Sequence, residues 1–566
     1  MMRSLLIVIT LFFTMIGCGS IVEEDIFTGG KLPTATGRVI TWEGNVGVDG
    51  GIPNRTTIYT TIETATQGND TFAINNALSN CPGGQVVKLG TGTFTISGTL
   101  NMKSNCTLRG DGAGVTILNN IANGVFGIIR FGSGFTNASS ATISNVSSGY
   151  TQGSTSVTLA NASAFSPGDF VYFDEFNDTS IPVEATDASY YGIFPGSSTR
   201  VFAVIHEITG KAGNVITIDP PAVYTFPSHL SPRAILAQPT YTQYAGVEDM
   251  TVKNDNTVSD DQSSQVIIFQ GAAHSWVKGV RLERCGKRCI DLYLDVFRNT
   301  VTGNYMTGCI QRTTSDRCYA VHVMMGSFNL IENNVYDGTG EGNMTSTAVG
   351  NVFAYNYSYD VRRTGYGQDG WFYASDWTHG AHSAFNLYEG NISQGIKWDN
   401  IHGSGSHNTS FRNRYTGKSS LGGGIGTQAV GAIITERNNN YINEIGNILG
   451  TSGWSNVYEY QNDNPPVGTY PIHVVGVGND YPAVFGTMLR HMNYDYYTNS
   501  VKYCDSSGEP GCQGESYSRT SLPASLYLSS KPAFFACRPW PGIGPDLNPM
   551  VGSLPAEDRF KNVNPC

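Results

Sequence analysis

Charge is scarce in this chain. Only 14% of its 566 residues are charged, and 34 Lys and Arg stand against 45 Asp and Glu, for a formal net charge of −11. So little basic charge argues against nucleic acid and other long polyanions as general partners, because they need dense cationic surfaces. Long hydrophobic runs are missing too. The longest, Leu5–Ile16, has 12 residues and is too short to span a bilayer. It follows Met-Met-Arg3-Ser, so residues 1–17 read as an export signal rather than a membrane anchor.

What the chain has instead is glycine, 67 residues of it, and one motif used twice. Residues 376–391 begin Asp-Trp-Thr-His-Gly-Ala-His, and residues 399–414 begin Asp-Asn-Ile-His-Gly-Ser-Gly. At an offset of 23, Asp376 falls on Asp399, His379 on His402, Gly380 on Gly403 and Glu389 on Arg412. A fixed period of this size signals a solenoid, in which each repeat is one coil stacked on the next. With a coil of about 22–25 residues, the two motifs are expected on neighbouring rungs, about 4.8 Å apart. Short apolar alternations ending at Asn334, Asn356, Asn391, Arg414 and Asn447 share the frame, at spacings of 22, 35, 23 and 33. Strand formers broken by Gly and Asn are what a parallel β-helix needs, and Asn tolerates the left-handed corner while stacking into a ladder. Residues 234–450 are therefore expected to form consecutive coils. Upstream, residues 70–81 predict a short amphipathic helix, with Phe72, Ile74 and Leu78 to one side, that caps the open end of the solenoid.

Residues 68–118, Gly246-Val-Glu-Asp-Met-Thr-Val, Gly350-Asn-Val-Phe-Ala-Tyr-Asn and Leu522-Pro-Ala-Ser-Leu-Tyr-Leu resemble the cap, later coils and tail of the pectate-lyase superfamily. That family comprises polysaccharide lyases and family 28 glycosidases. The resemblance implies an all-β fold: a right-handed parallel β-helix with an N-terminal capping helix. It also implies a polysaccharide partner. Lyases of this fold use Arg or Lys as base, often with calcium held by Asp and Glu, so calcium stays open here and no metal ligands are assigned. The combined family 28 pattern of clustered aspartates, Asn-x-Asp and Gly-His-Gly is not found, which argues against ordinary polygalacturonase activity.

Between residues 140 and 226 the text changes to four alternating runs separated by turn signals, with Gly213-Asn as a hairpin turn. This predicts a small antiparallel β domain inserted between a first section, residues 46–139, and the main body, residues 227–500. Residues 501–566 form a cysteine-bearing tail. The export signal closes on Met15-Ile16-Gly17-Cys18-Gly19, which resembles a bacterial lipoprotein box. Cys18 is then the lipidated residue, residues 18–45 a tether, and Gly19 favours the outer membrane or cell surface. With Cys18 set aside ten cysteines remain, an even number in an exported chain, and disulfides are expected. Cys81 and Cys106 are 25 apart and Cys285 and Cys309 are 24 apart, each close to one coil; Cys504 with Cys512 and Cys537 with Cys566 would staple the tail. A monomer is expected.

Residues 376–414 carry the densest set of reactive side chains. Asp376 and Asp399, if stacked, would share a proton or hold a cation. His379, His382, His402 and His407 are proton carriers near neutral pH. Arg412 and Arg414 suit a bidentate grip on a carboxylate, and Trp371, Tyr373 and Trp377 are platforms for sugar rings. These parts serve either a lyase or a two-carboxylate hydrolase. Two other readings stay open. Asp-x-x-His-Gly also suits a turn, in which Asp caps an N–H, Gly takes the positive-φ corner and Glu389 pairs with Arg412 across a rung. A β-helix of this kind can also bind a glycan without cleaving it.

Overall fold

The computed structural model describes residues 37–63, 68–137, 141–181, 199–256, 265–310, 318–362, 375–418, 431–504, 522–564 and 566. The expected export signal (residues 1–17), Cys18, Cys512, Trp371 and Tyr373 lie outside these residues. Three long sheets of almost wholly parallel strands run the length of the body. Each coil visits sheet 1 (for example Gly246–Glu248), sheet 2 (Thr251–Asn254) and sheet 3 (Gln265–Ala273) before Trp276–Lys278 returns to sheet 1 one rung on. Alternate residues point inward and pack against the neighbouring rungs, as Phe131 does on Phe269 and Phe353 on Tyr388.

Two asparagine ladders hold the corners on either side of sheet 1. At the corner leading to sheet 2, Asn304, Asn334, Asn356, Asn391, Asn413, Asn447 and Asn493 are linked side chain to side chain, at steps of 30, 22, 35, 22, 34 and 46 residues. Each buried amide oxygen accepts both the side-chain and the backbone N–H of the preceding Asn, as Asn356 does from Asn334 at 3.0 Å each. A second ladder, Asn299, Asn329, Asn351, Asn386 and Asn408, holds the corner that enters sheet 1. The ladder passes through Asn413, not Arg414, so the frame expected there is corrected by one residue. That one residue matters, because it sets which side of the sheet its neighbours face.

The cap is a helix, Thr71–Asn80, with Ile74 and Leu78 buried; Phe72, expected beside them, is 80% exposed. The insertion is a closed six-stranded antiparallel barrel whose strands run from Ile143–Ser148 to Arg233–Leu236, beyond the expected boundary at 226. It sits against the corner entering sheet 1, where Phe170 meets Tyr241 and Phe297, and Tyr224 meets His407. Residues 38–48 do not behave as a free tether. Trp42 donates to the Phe385 carbonyl at 2.8 Å, and Arg38 to Asn443 at 2.9 Å.

The tail lies along the opposite corner. Tyr527 donates to Glu332, the Leu526 N–H to Glu389, and Trp540 to the Tyr355 hydroxyl. Disulfides join Cys81 to Cys106 and Cys537 to Cys566. Cys504 is disulfide-bonded as well. Cys285 and Cys309 stand opposite each other in sheet 2 but are not joined: Cys285 pairs with Cys289 and Cys309 with Cys318. No helix among the described residues is long and apolar enough to cross a membrane.

Candidate functional site

The doubled motif does not stack as its offset of 23 suggests. In sheet 3, Asp376 pairs with Ile396, Trp377 with Lys397 and Thr378 with Trp398, an offset of 20. Two of the three residues of difference lie in the corner that follows. Seven residues separate Thr378 from the ladder residue Asn386, and nine separate Trp398 from Asn408. The second Asp-x-x-His-Gly therefore begins after its strand and the first begins inside one. Asp376 and Asp399 face different environments, and they neither share a proton nor clamp a cation.

Asp376 points into the core. It is 1% exposed, accepts from Asn343 Nδ2 at 2.8 Å and Ser393 Oγ at 3.1 Å, and lies among the buried tyrosines 336, 388 and 415. Burial pushes its carboxyl up to about 7. The unfolded chain ionises it near pH 3.9, so between about pH 4 and 7 the folded state holds a proton that the unfolded state lacks. Its stabilising contribution is full below about pH 4 and is lost as pH rises to 7. Asp376→Asn, neutral throughout, should be more stable than the wild type at pH 8 by up to about a few kcal/mol and so melt higher, and the gap should close at pH 4. Thermal melts at the two pH values test this.

The outward face of sheet 3 carries the cluster that does form. Trp377 and His379 alternate on one strand; Lys397 and Asp399 follow the same alternation on the next. His379 Nδ1 is 2.6 Å from Asp399 Oδ2, and the same oxygen accepts the Trp377 indole N–H in a short bond. The other Asp399 oxygen takes the Ile401 N–H at 3.2 Å. Asp399 is fully buried, so this carboxylate is held from three sides. His379 keeps 12% of its side chain exposed, and its Nε2 has no hydrogen-bond partner among the described residues. The His402 ring stands edge-on to it, 4.4 Å between centres. Lys397 Nζ lies 5.3 Å from the Trp377 ring centre and 2.9 Å from Glu436 Oε1, while Glu436 Oε2 accepts the Asn400 N–H. The patch opens to solvent beside Ile401, 49% exposed.

Of the residues expected at the site, Trp377, His379, Asp399 and His402 converge. His382 and His407 do not. Both sit at the corner entering sheet 1 with φ near +56° and +55°. Burial pushes each imidazole down to about 3, so both are neutral at any ordinary pH. His407 is stacked between Phe385 and Tyr441, and His382 lies against Phe202 of the barrel. Arg412 is covered by the tail, where it grips Asp546 with both nitrogens at 2.7 Å. Glu389 pairs in register with Phe411, not with Arg412. Arg414 leaves on sheet 2, donates to the carbonyls of Tyr415 and Ile448 and stacks on Tyr496. Lys397 and Glu436 were missed by the sequence reading. The available signal was the period of two, which puts Lys397 on the face of Asp399. Among the described residues no three His, Cys, Asp or Glu side chains gather to hold a metal.

No protein-family model and no curated relative matches the chain. Solved structures do. The tailspike gp61 of Pseudomonas phage phi297 superposes with a TM-score of 0.51 at 11% identity, covering 82% of this chain and 69% of that one. This chain has the right-handed parallel β-helix fold. Other β-helices align more loosely. The gp54 tailspike of Acinetobacter baumannii bacteriophage AP22, solved with a capsular saccharide, gives a TM-score of 0.42 at 10% identity over 77% of this chain and 65% of its own. The alginate lyase of Paenibacillus sp. str. FPU-7 gives 0.34 at 11% identity over 77% of this chain and 95% of its own.

Proposed function

We propose that the protein is an exported, membrane-tethered enzyme that cleaves an acidic polysaccharide by β-elimination on the outer face of sheet 3. The observation that carries this is the His379–Asp399 pair: an imidazole held through Nδ1 at 2.6 Å, with Nε2 left for a substrate proton. Hydrolysis by two flanking carboxyl groups fits less well. Asp376 faces the core, Asp399 is engaged by Trp377 and His379, and Glu436 by Lys397 and Asn400. His379, held through Nδ1, is a base rather than a second carboxyl.

In β-elimination His379 Nε2 takes the proton next to the uronate carboxylate, a C=C bond forms in that ring, and the bond to the leaving glycosidic oxygen breaks. His402, edge-on to His379, is placed to return a proton to that oxygen. Uronate polymers such as alginate and polygalacturonate should yield unsaturated ends that absorb in the ultraviolet. New reducing ends without that absorbance would make the enzyme a hydrolase, and retention of polymer without cleavage would make it a binding protein. Anchoring at Cys18 is part of the same proposal. An N-terminus found unmodified downstream of Cys18 by mass spectrometry would remove it.

A further inference from the structure

Outward-facing residues on three further rungs of sheet 3 meet in a chain separate from the His379–Asp399 pair. Asp291 pairs in register with His322, and His322 with Met344; Ser346, two residues beyond Met344, faces the same way. His322 Nδ1 is 2.9 Å from Asp291 Oδ1, and its Nε2 is 3.1 Å from Ser346 Oγ. With Nδ1 protonated, the imidazole donates to the carboxylate and accepts from the serine hydroxyl. Burial alone would raise the Asp291 carboxyl, but Arg288 beside it and the bond to His322 outweigh that and hold it below its ordinary value. The order carboxylate, imidazole, hydroxyl is the arrangement that makes a serine nucleophilic. The residues are 31 and 24 positions apart, so only the stacking of coils brings them together.

We propose that Asp291, His322 and Ser346 form an acyl-ester hydrolase site that removes short O-acyl groups from a saccharide. Ser346 Oγ attacks the ester carbonyl while its proton passes to His322 Nε2. The bond to the sugar oxygen breaks as that proton is delivered to it, and a saccharide hydroxyl leaves. Water then attacks the acyl-serine, giving its proton to His322, and releases the carboxylic acid and free Ser346. Met324 pairs in register with Ser346, which puts a thioether side chain beside it on the same face, and this suits a short alkyl group. All three reacting residues are at most 1% exposed. Labelling reads directly whether a reagent reaches Ser346.

The full-length protein is treated with a fluorophosphonate probe, digested and mapped, and its hydrolysis of p-nitrophenyl acetate is followed in parallel. Ser346 should carry the label, and Ser346→Ala and His322→Ala should each lower hydrolysis by at least about 100-fold. Absence of label on Ser346 in the wild-type protein, which needs no variant to fold, overturns the proposal. So does unchanged ester hydrolysis in a Ser346→Ala protein with a native melting curve. Uronate cleavage breaks a different bond, so its failure leaves this result untouched.

Discussion

Replacing His379 by Ala should lower polysaccharide turnover by about 10²–10⁴ while leaving the fold intact, as loss of a general base usually does. Among the described residues the imidazole meets the Asp399 oxygen and the rings of Trp377 and His402. Asp399→Asn should cost nearly as much, because the amide no longer matches the His379 Nδ1–H and the Trp377 indole N–H as the carboxylate does. Trp377→Phe, which removes one of three donors to Asp399, should cost less. The neighbouring histidines supply the control. His407→Ala opens a gap between Phe385 and Tyr441, so it should lower the melting temperature and leave turnover per folded molecule unchanged. Turnover and melting curves on each variant separate the cases. Full activity in a folded His379→Ala protein would defeat the catalytic reading.

The contrast between these histidines shows where the sequence is legible. A period near 22, strand formers and corner asparagines all speak of backbone geometry, and all survive in the coils, because a buried amide ladder forces one Asn per turn at a fixed corner. The insertion was visible for the same reason: its alternation has a period of two and no corner asparagine. What stays hidden is which coil residue faces which. The strands pair at an offset of 20 while the motif repeats at 23, so the second motif lies three residues further along its coil, and in a strand an odd shift of register moves every side chain to the other face. Asp376 and Asp399 look identical in the text and have opposite fates. Arg412 is hidden in another way. It occupies a left-handed corner position that Gly390 and Gly446 fill on neighbouring rungs, and only the fold shows that the tail passes over it.

Arg412→Ala should be the most destabilising substitution among the residues discussed. The guanidinium is 2% exposed and makes five hydrogen bonds: two to Asp546, and one each to the carbonyls of Leu522, Pro523 and Ile543. Removing it orphans three backbone acceptors and leaves a carboxylate, 19% exposed, facing an empty space. Breaking a buried charge pair from one side typically costs about 3–5 kcal/mol, more than the pair itself contributes. The loss should be local before it is global. Leu526 and Tyr527 also hang on Glu389 and Glu332, whose carboxyls burial pushes up to about 7. Once the tail lifts, water enters and both ionise at neutral pH, which disfavours redocking. Arg412→Lys should rescue little, because an ammonium cannot span both Asp546 oxygens and three carbonyls at once. Limited proteolysis should cut the variant within residues 522–564 at temperatures where the wild type resists, and the main melting transition should fall. If Arg412→Ala instead keeps its melting curve and loses affinity for polysaccharide, the clamp is not what this arginine does, and it belongs to the glycan site after all.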